Sequence, residues 1–291
     1  MLNLHKKEDA SLKKAVIITN IKKDTDLSVT LAVARRIADT GIIPLVRSGL
    51  FAALPRGSEE YTDVPSDADC IIVVGGDGSV IDASGYSIRY GIPLVAVNLG
   101  AVGYLAEVET DELHLLDRLA TGEYNVDYKM LLSVTKEGKT ASALAVNDIV
   151  ISHDGYLGIS ALRVTDGNGN SIGYRADGVI FSTPQGSTAY SLSSGGPILA
   201  HGIDSILLTP VCPHSFFNRS VIFSANERLT VTNVGQGSLN ISIDGRRFAS
   251  LVGGESCEVF VADKKIGMIS FSENTMFRKL FKKMRPMEDI D

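Results

Sequence analysis

Ile71-Ile72-Val73-Val74-Gly75-Gly76-Asp77-Gly78-Ser79 opens on four consecutive β-branched aliphatic residues. Such a run reads as a strand buried on both faces, as in a parallel sheet. Three glycines around one carboxylate follow, and then an apparent helix over residues 79–89. Glycines at a strand-to-helix turn let backbone N–H groups approach a ligand closely, and the helix N-terminus adds partial positive charge. That combination suits phosphate. An aspartate there repels phosphate unless a metal or a proton transfer is involved. Asp77 therefore reads as a metal-side residue or a general base for a hydroxyl, with helix capping as the structural alternative.

Working outward, residues 15–19 form a short apolar strand. Asp26 or Ser28 can cap the next helix, whose Val29, Ala32, Val33 and Ile37 fall at helical spacing. Residues 42–46 and 93–97 read as further strands, and 48–69 as an irregular surface excursion. Strands alternating with helices predict a doubly wound parallel sheet, whose ligands gather at the carboxyl ends of the strands. Asp77 and the loop from Asn98 to Tyr104 both lie at such ends and are expected to face each other.

The pattern changes near Glu123. Alternating segments at 128–135, 143–152, 160–166, 205–209, 229–233, 239–243 and 257–261 read as strands, with Asp166-Gly167-Asn168-Gly169-Asn170 as a hairpin turn. One helix, over 187–194, interrupts them. The expected fold is an N-terminal doubly wound α/β domain (1–122), an all-β, β-sandwich-like domain (123–268), and a C-terminal segment (269–291) whose basic helix at 275–284 returns to the first domain.

Composition bounds the function. The 291 residues suffice for two ordinary domains. A formal charge of -6 argues against nonspecific nucleic-acid binding. No apolar run approaches the roughly 20 residues of a membrane span, and residues 1–14 lack the apolar core of a signal peptide. The expected location is cytoplasmic. Three distant cysteines and five scattered histidines suggest neither a disulfide framework nor a metal site.

Two further constellations carry chemistry. Asn147-Asp148 interrupts an otherwise apolar strand, so a regular pleat would send one of the pair into the core. An adjacent Asn and Asp suit a base edge and ribose hydroxyls; a β-bulge or strand-end turn is the structural alternative. The second runs from Tyr174 to Pro197: a charged pair (Arg175, Asp177), a buried strand, a Pro-Gly turn and a hydroxyl-rich helix start. Ser187 and Thr188 can cap that helix.

Together these blocks resemble the NAD kinases. Gly75-Gly76-Asp77-Gly78-Ser79, Asn147-Asp148, and Asp177-Gly178 followed by Ser182-Thr183-Pro184-Gln185-Gly186-Ser187-Thr188-Ala189-Tyr190 are similar, in order and separation, to that family's signature blocks. Residues 98–105 resemble its Gly-rich loop, and Thr209-Pro210 its later Thr-Pro block. The GGDG turn alone is shared with diacylglycerol kinases, sphingosine kinases and phosphofructokinases; the Thr-Pro-x-Gly-Ser-Thr-Ala-Tyr block is far more specific.

The resemblance implies transfer of the terminal phosphate of ATP (or polyphosphate) to the 2′-hydroxyl of the adenosine ribose of NAD, giving NADP. It implies Asp77 as general base, Gly75, Gly76 and Gly78 as the donor-phosphate loop, and a divalent cation, Mg²⁺, offsetting charge. Asn147, Asp148, Arg175, Asp177, Thr188, Ala189, Tyr190 and Ser193 match NAD-contacting positions, beside Asp77 and Gly78, and Tyr104 an aromatic that stacks on adenine. Many members carry Glu at the Asp148 position, and Asp244-Gly245-Arg246 stands where the family often has Asp-Gly-Gln. The family forms homodimers and homotetramers whose NAD pocket is shared between subunits. The alternatives are a lipid or sugar-phosphate kinase of the same superfamily and a non-catalytic NAD(P) sensor.

Overall fold

Cys70 to Val74 are wholly buried, so the aliphatic run is covered on both faces. The computed structural model describes residues 12–52, 55–100, 103–136, 143–155, 158–200, 202–214 and 217–271. The chain divides into two units: Met1–Tyr128 with Ile266–Asp291, and Lys129–Lys265 between them. The crossings thus fall at 128/129 and 265/266, against the 122/123 and 268/269 expected. The helix expected at 275–284 lies outside the described residues.

The first unit runs β1 (Lys14–Thr19), α1 (Ser28–Asp39), β2 (Ile43–Arg47), β3 (Glu59–Tyr61), β4 (Cys70–Gly75), α2 (Asp77–Tyr90) and β5 (Leu94–Asn98), then a 3-10 turn (Leu113–Asp117) and α3 (Arg118–Thr121). Its strands lie parallel in the order β3-β2-β1-β4-β5. Met268 of the returning chain adds a parallel pairing to Leu94. The order reverses between β1 and β4, and in an open α/β sheet such a switch point opens the crevice where ligands bind. Ile17, Val33, Ile37, Ile72, Val74, Val95, Val97, Leu116, Ile269 and Phe271 share one core cluster. Two expectations change here. Strand β3 forms inside the expected irregular excursion, and α1 is capped by neither Asp26 nor Ser28 alone. Buried Asp24 accepts from the N–H of Thr30 (2.8 Å) and of Val29 (3.2 Å), while Asp26 accepts from Ser28 N–H (3.1 Å). A carboxylate satisfying two orphan donors suits the positive end of a helix.

The second unit contains most of β6 (Asn125–Lys136), then β7 (Ala143–Ala145), β8 (Asp148–His153), β9 (Ser160–Thr165), β10 (Ser171–Ala176), β11 (Gly178–Ser182), α4 (Tyr190–Ser193), β12 (Ser205–Val211), β13 (Val221–Ser224), β14 (Arg228–Asn233), β15 (Leu239–Ile243), β16 (Arg246–Leu251) and the start of β17 (Ser256–Ser270). Antiparallel pairings give one sheet in the order β13-β12-β11-β8-β15-β16 and a second set β10-β9-β14-β17. Ile149, Ile151, Val179, Phe181 and Ile241 from the first meet Leu162, Val164, Leu229, Val231 and Val259 from the second in one core. This is sandwich packing, with alternate residues turned inward. The strand expected over 143–152 is broken at Val146-Asn147, which forms a bend between β7 and β8. The helix expected over 187–194 is a 3-10 turn (Gln185–Thr188) followed by the single turn of α4.

Candidate functional site

In the first unit Asp77 is the first residue of α2, directly after the strand that the aliphatic run builds. Its carboxylate accepts from the backbone N–H of Tyr104 (3.0 Å) and of Leu105 (3.0 Å), so the two loops do face each other. This approach requires Gly103, since a Cβ there would overlap Asp77 Oδ1. Gly75 is equally constrained, because a Cβ would overlap the Ser79 side chain. Asn20, unremarked in the sequence, ties β1 to the turn: its N–H donates to Val74 O (2.9 Å) and its Nδ2 to Ser79 Oγ (2.9 Å). A carboxylate oriented by two backbone donors keeps further lone pairs for an incoming hydroxyl. Burial first, and then the Asp77 charge, raise the Tyr104 hydroxyl above its ordinary range. Ala101 and Val102 of this loop lie outside the described residues.

In the second unit the bend at Asn147 is held from two sides. Asp244 accepts from the N–H groups of Val146 (2.8 Å), Asn147 (2.8 Å) and Asp148 (3.0 Å), and its own N–H donates to Asp148 O (2.9 Å). Asp244 and Gly245 both have positive φ (46° and 78°), as a two-residue hairpin turn requires, so the Asp-Gly pair is a hairpin turn and a carboxylate clamp at once. From the other side, Thr183 N–H donates to Asn147 O (2.9 Å), Thr183 Oγ1 donates to Val146 O (2.7 Å), and Gly186 N–H donates to Thr183 Oγ1 (2.9 Å). Gly186 packs against the Asn147 backbone so closely that any Cβ would overlap it. The hydroxyl-rich block therefore shapes the turn carrying Asn147. Ser187 donates to Pro184 O (2.7 Å) and accepts from Leu199 N–H (3.0 Å), and Thr188 donates to Gln185 O (3.1 Å). Buried Ser191 meets Thr209 of the Thr-Pro block at 2.8 Å.

Asp148 is buried, and its carboxyl is pushed up to about 7, by desolvation first and by the neighbouring Asp244 carboxylate next, with a backbone hydrogen bond from Tyr190 opposing. Asp244 is also raised by burial, against the three backbone donors that favour its ionised form. Those donors leave Asp148 as the member that takes the proton. The structure thus gathers Asn147, Asp148, Thr188, Ala189 and Tyr190 around one turn, with half-exposed Tyr190 and exposed Ser193 on α4.

Arg175 and Asp177 stand elsewhere. Asp148 pairs with Ser182 at one end of β11, whereas Asp177 precedes Gly178 at the other, roughly 16 Å along the strand. There His153 N–H donates to Asp177 O (3.1 Å) and Asp177 N–H to Val211 O (3.0 Å). Both side chains are exposed, and no ion pair joins them among the described residues. Among those residues no three His, Cys, Asp or Glu converge as a metal site, and no helix is long and apolar enough to cross a membrane.

Comparison with known proteins bears on both units. Residues 15–124 match the family model of the ATP-NAD kinase N-terminal domain, and residues 118–271 that of the C-terminal domain. The NAD kinase of Thermoanaerobacter sp. (strain X514) is 37% identical over 246 residues, covering 81% of this chain and 86% of its own. That of Natranaerobius thermophilus is 30% identical over 288 residues, covering 96% and 100%. Among solved structures, yeast NADH kinase complexed with NADH superposes with a TM-score of 0.83 at 20% identity, over 97% of this chain and 90% of its own. The NAD kinase from Archaeoglobus fulgidus in complex with ATP gives 0.71 at 20% identity, over 93% and 98%. These two likenesses establish the fold; the sequence matches go further, and the chain belongs to the NAD kinase family.

Proposed function

We propose that the protein transfers the terminal phosphate of ATP to the 2′-hydroxyl of the adenosine ribose of NAD, giving NADP and ADP. The observation that carries this reading is the Asp77 carboxylate, fixed by two backbone N–H groups inside a glycine turn at the end of β4. A secondary hydroxyl is a poor nucleophile near neutral pH, and Asp77 takes its proton as the oxygen attacks the terminal phosphorus and ADP leaves. Gly75, Gly76 and Gly78 offer backbone amides to the donor phosphates. A divalent cation, Mg²⁺, would neutralise charge on those phosphates; with no cage of side chains among the described residues, it would be held by phosphate, water and at most Asp77.

The NAD side falls to the turn at Asn147 and Asp148 with Thr188, Ala189, Tyr190 and Ser193, and Tyr104 stacks on adenine. Because Arg175 and Asp177 lie at the far end of β11, we assign them to the nucleotide of a second copy in a homodimer or homotetramer. Cytoplasmic location belongs to the same proposal. Family membership favours NAD over a lipid or sugar-phosphate acceptor and over a sensor role. A coupled NADP-formation assay with NAD, ATP and Mg²⁺, run beside Asp77→Asn, tests the reading. Activity lost in the variant supports it; a silent wild type with every donor tried overturns it.

A further inference from the structure

The switch point between β1 and β4 holds a side chain that the proposed reaction has not used. The chain leaves β1 through Asn20, whose backbone and amide are both tied to the glycine turn. It then makes one tight turn, in which Lys23 N–H (3.0 Å) and Asp24 N–H (2.9 Å) donate to Asn20 O. Asp24 is buried as the cap of α1. Lys23 is thus fixed at its backbone between two anchored neighbours, and its side chain extends over the glycines. A Cβ built on Gly76 would lie 2.9 Å from Lys23 Nζ, and one on Gly100 would lie 3.8 Å from it.

Among the described residues this ammonium has no hydrogen-bond or ion-pair partner. Asp77, one residue along from Gly76, is satisfied by the N–H groups of Tyr104 and Leu105 instead. An exposed cation over two side-chain-free loops, beside the N-terminus of α2, leaves an opening for an external anion. Backbone amides, the helix terminus and an ammonium together match the phosphate chain of a nucleoside triphosphate. We propose that Lys23 binds the phosphates of the donor over Gly76 and Gly100. The proposal rests on the kinase reading for the identity of the donor, while the contact itself is a statement about polyphosphate binding.

Calorimetric titration of the full chain with ATP and Mg²⁺, and separately with inorganic tripolyphosphate, tests it on the wild type, Lys23→Met and Lys23→Arg. Loss of a charge-assisted contact should weaken both ligands about tenfold or more in Lys23→Met, with most of the affinity regained in Lys23→Arg. NAD affinity should stay within about twofold, which also reports that the variants are folded. Unchanged donor and tripolyphosphate affinities in Lys23→Met would overturn the proposal. So would a wild type that binds neither, or a variant in which NAD weakens as much as ATP. If the wild type binds ATP but forms no NADP, the kinase reading falls while Lys23 is still decided by the titration.

Discussion

Both oxygens of Asp77 accept a backbone N–H, one from Tyr104 and one from Leu105. Asp77→Asn is therefore more than the loss of a base. One oxygen becomes an NH₂ facing a backbone donor, leaving that donor without an acceptor at a cost of about 1–3 kcal/mol. The expected outcome is near-abolished turnover with the fold kept, together with loosening of residues 103–105. Steady-state NADP formation reads the first, and amide hydrogen exchange over the loop the second. Asp77→Glu, which keeps the charge and adds a methylene, should restore exchange protection better than turnover, separating the positioning of the loop from proton transfer. Gly103 belongs to the same scale. Its missing side chain lets the loop reach the carboxylate, a requirement no local pattern in the sequence states.

The bend at Asn147 carries the residues proposed to meet NAD, and its cause lies 96 residues away from Asp148, in Asp244. Asp148 is raised to about 7 and Asp244 is raised too, so the folded state holds protons that the unfolded chain releases near its ordinary value of 3.8. This contribution to stability is fully present below that value and is lost as pH rises through about 7. On its account the melting temperature should fall between pH 5 and pH 8, and Asp148→Asn should flatten that slope in a thermal melt. If ionised Asp148 accepts from a ribose hydroxyl, NAD affinity should strengthen through the same window. Asp244→Asn should move that midpoint down, since it removes a neighbouring negative charge, while also loosening the turn. Gly186→Ala should weaken NAD binding by about tenfold or more by displacing the Asn147 backbone, read as a rise in the KM for NAD.

The same elements mark what the sequence could and could not disclose. The β-branched run and the Asp-x-Asn-x-Asn hairpin carry their reasons locally, through burial and turn chemistry, and so were legible. The break between β7 and β8 was not, because three amides are drawn off the ladder by a distant carboxylate. Strand β3, Glu59-Glu60-Tyr61, lacks apolar alternation and pairs only along the sheet edge. The hydroxyl block did not disclose its internal job of shaping the turn, which needs the contact of Thr183 and Gly186 with Asn147.

At the scale of the whole molecule, the second unit sets apart residues that the proposed function brings to one kind of ligand. Residues that match NAD-contacting positions occupy opposite ends of β11: Asp148 pairs with Ser182 at one, and Asp177 adjoins Gly178 at the other. One bound dinucleotide seated at Asn147 and Asp148 cannot also meet Asp177 of the same strand without running its full length. The symmetric oligomer proposed above would place Asp177 of one subunit at the nucleotide of its neighbour. Under that arrangement Asp77→Asn and Asp177→Ala would each be weak or inactive as pure oligomers. Mixed oligomers would pair the intact Asp77 of one chain with the intact Asp177 of the other, and so rebuild one complete site in two. For randomly mixed dimers, about half are mixed, so the unfractionated pool should recover about a quarter of the wild-type activity and the purified mixed dimers about half. Co-expression with two different affinity tags, purification through both, and NADP assay of the mixed species measures this directly. Recovery in the doubly purified fraction supports a shared site. No recovery, with mixed oligomers demonstrably present, would return Asp177 to a role within its own chain.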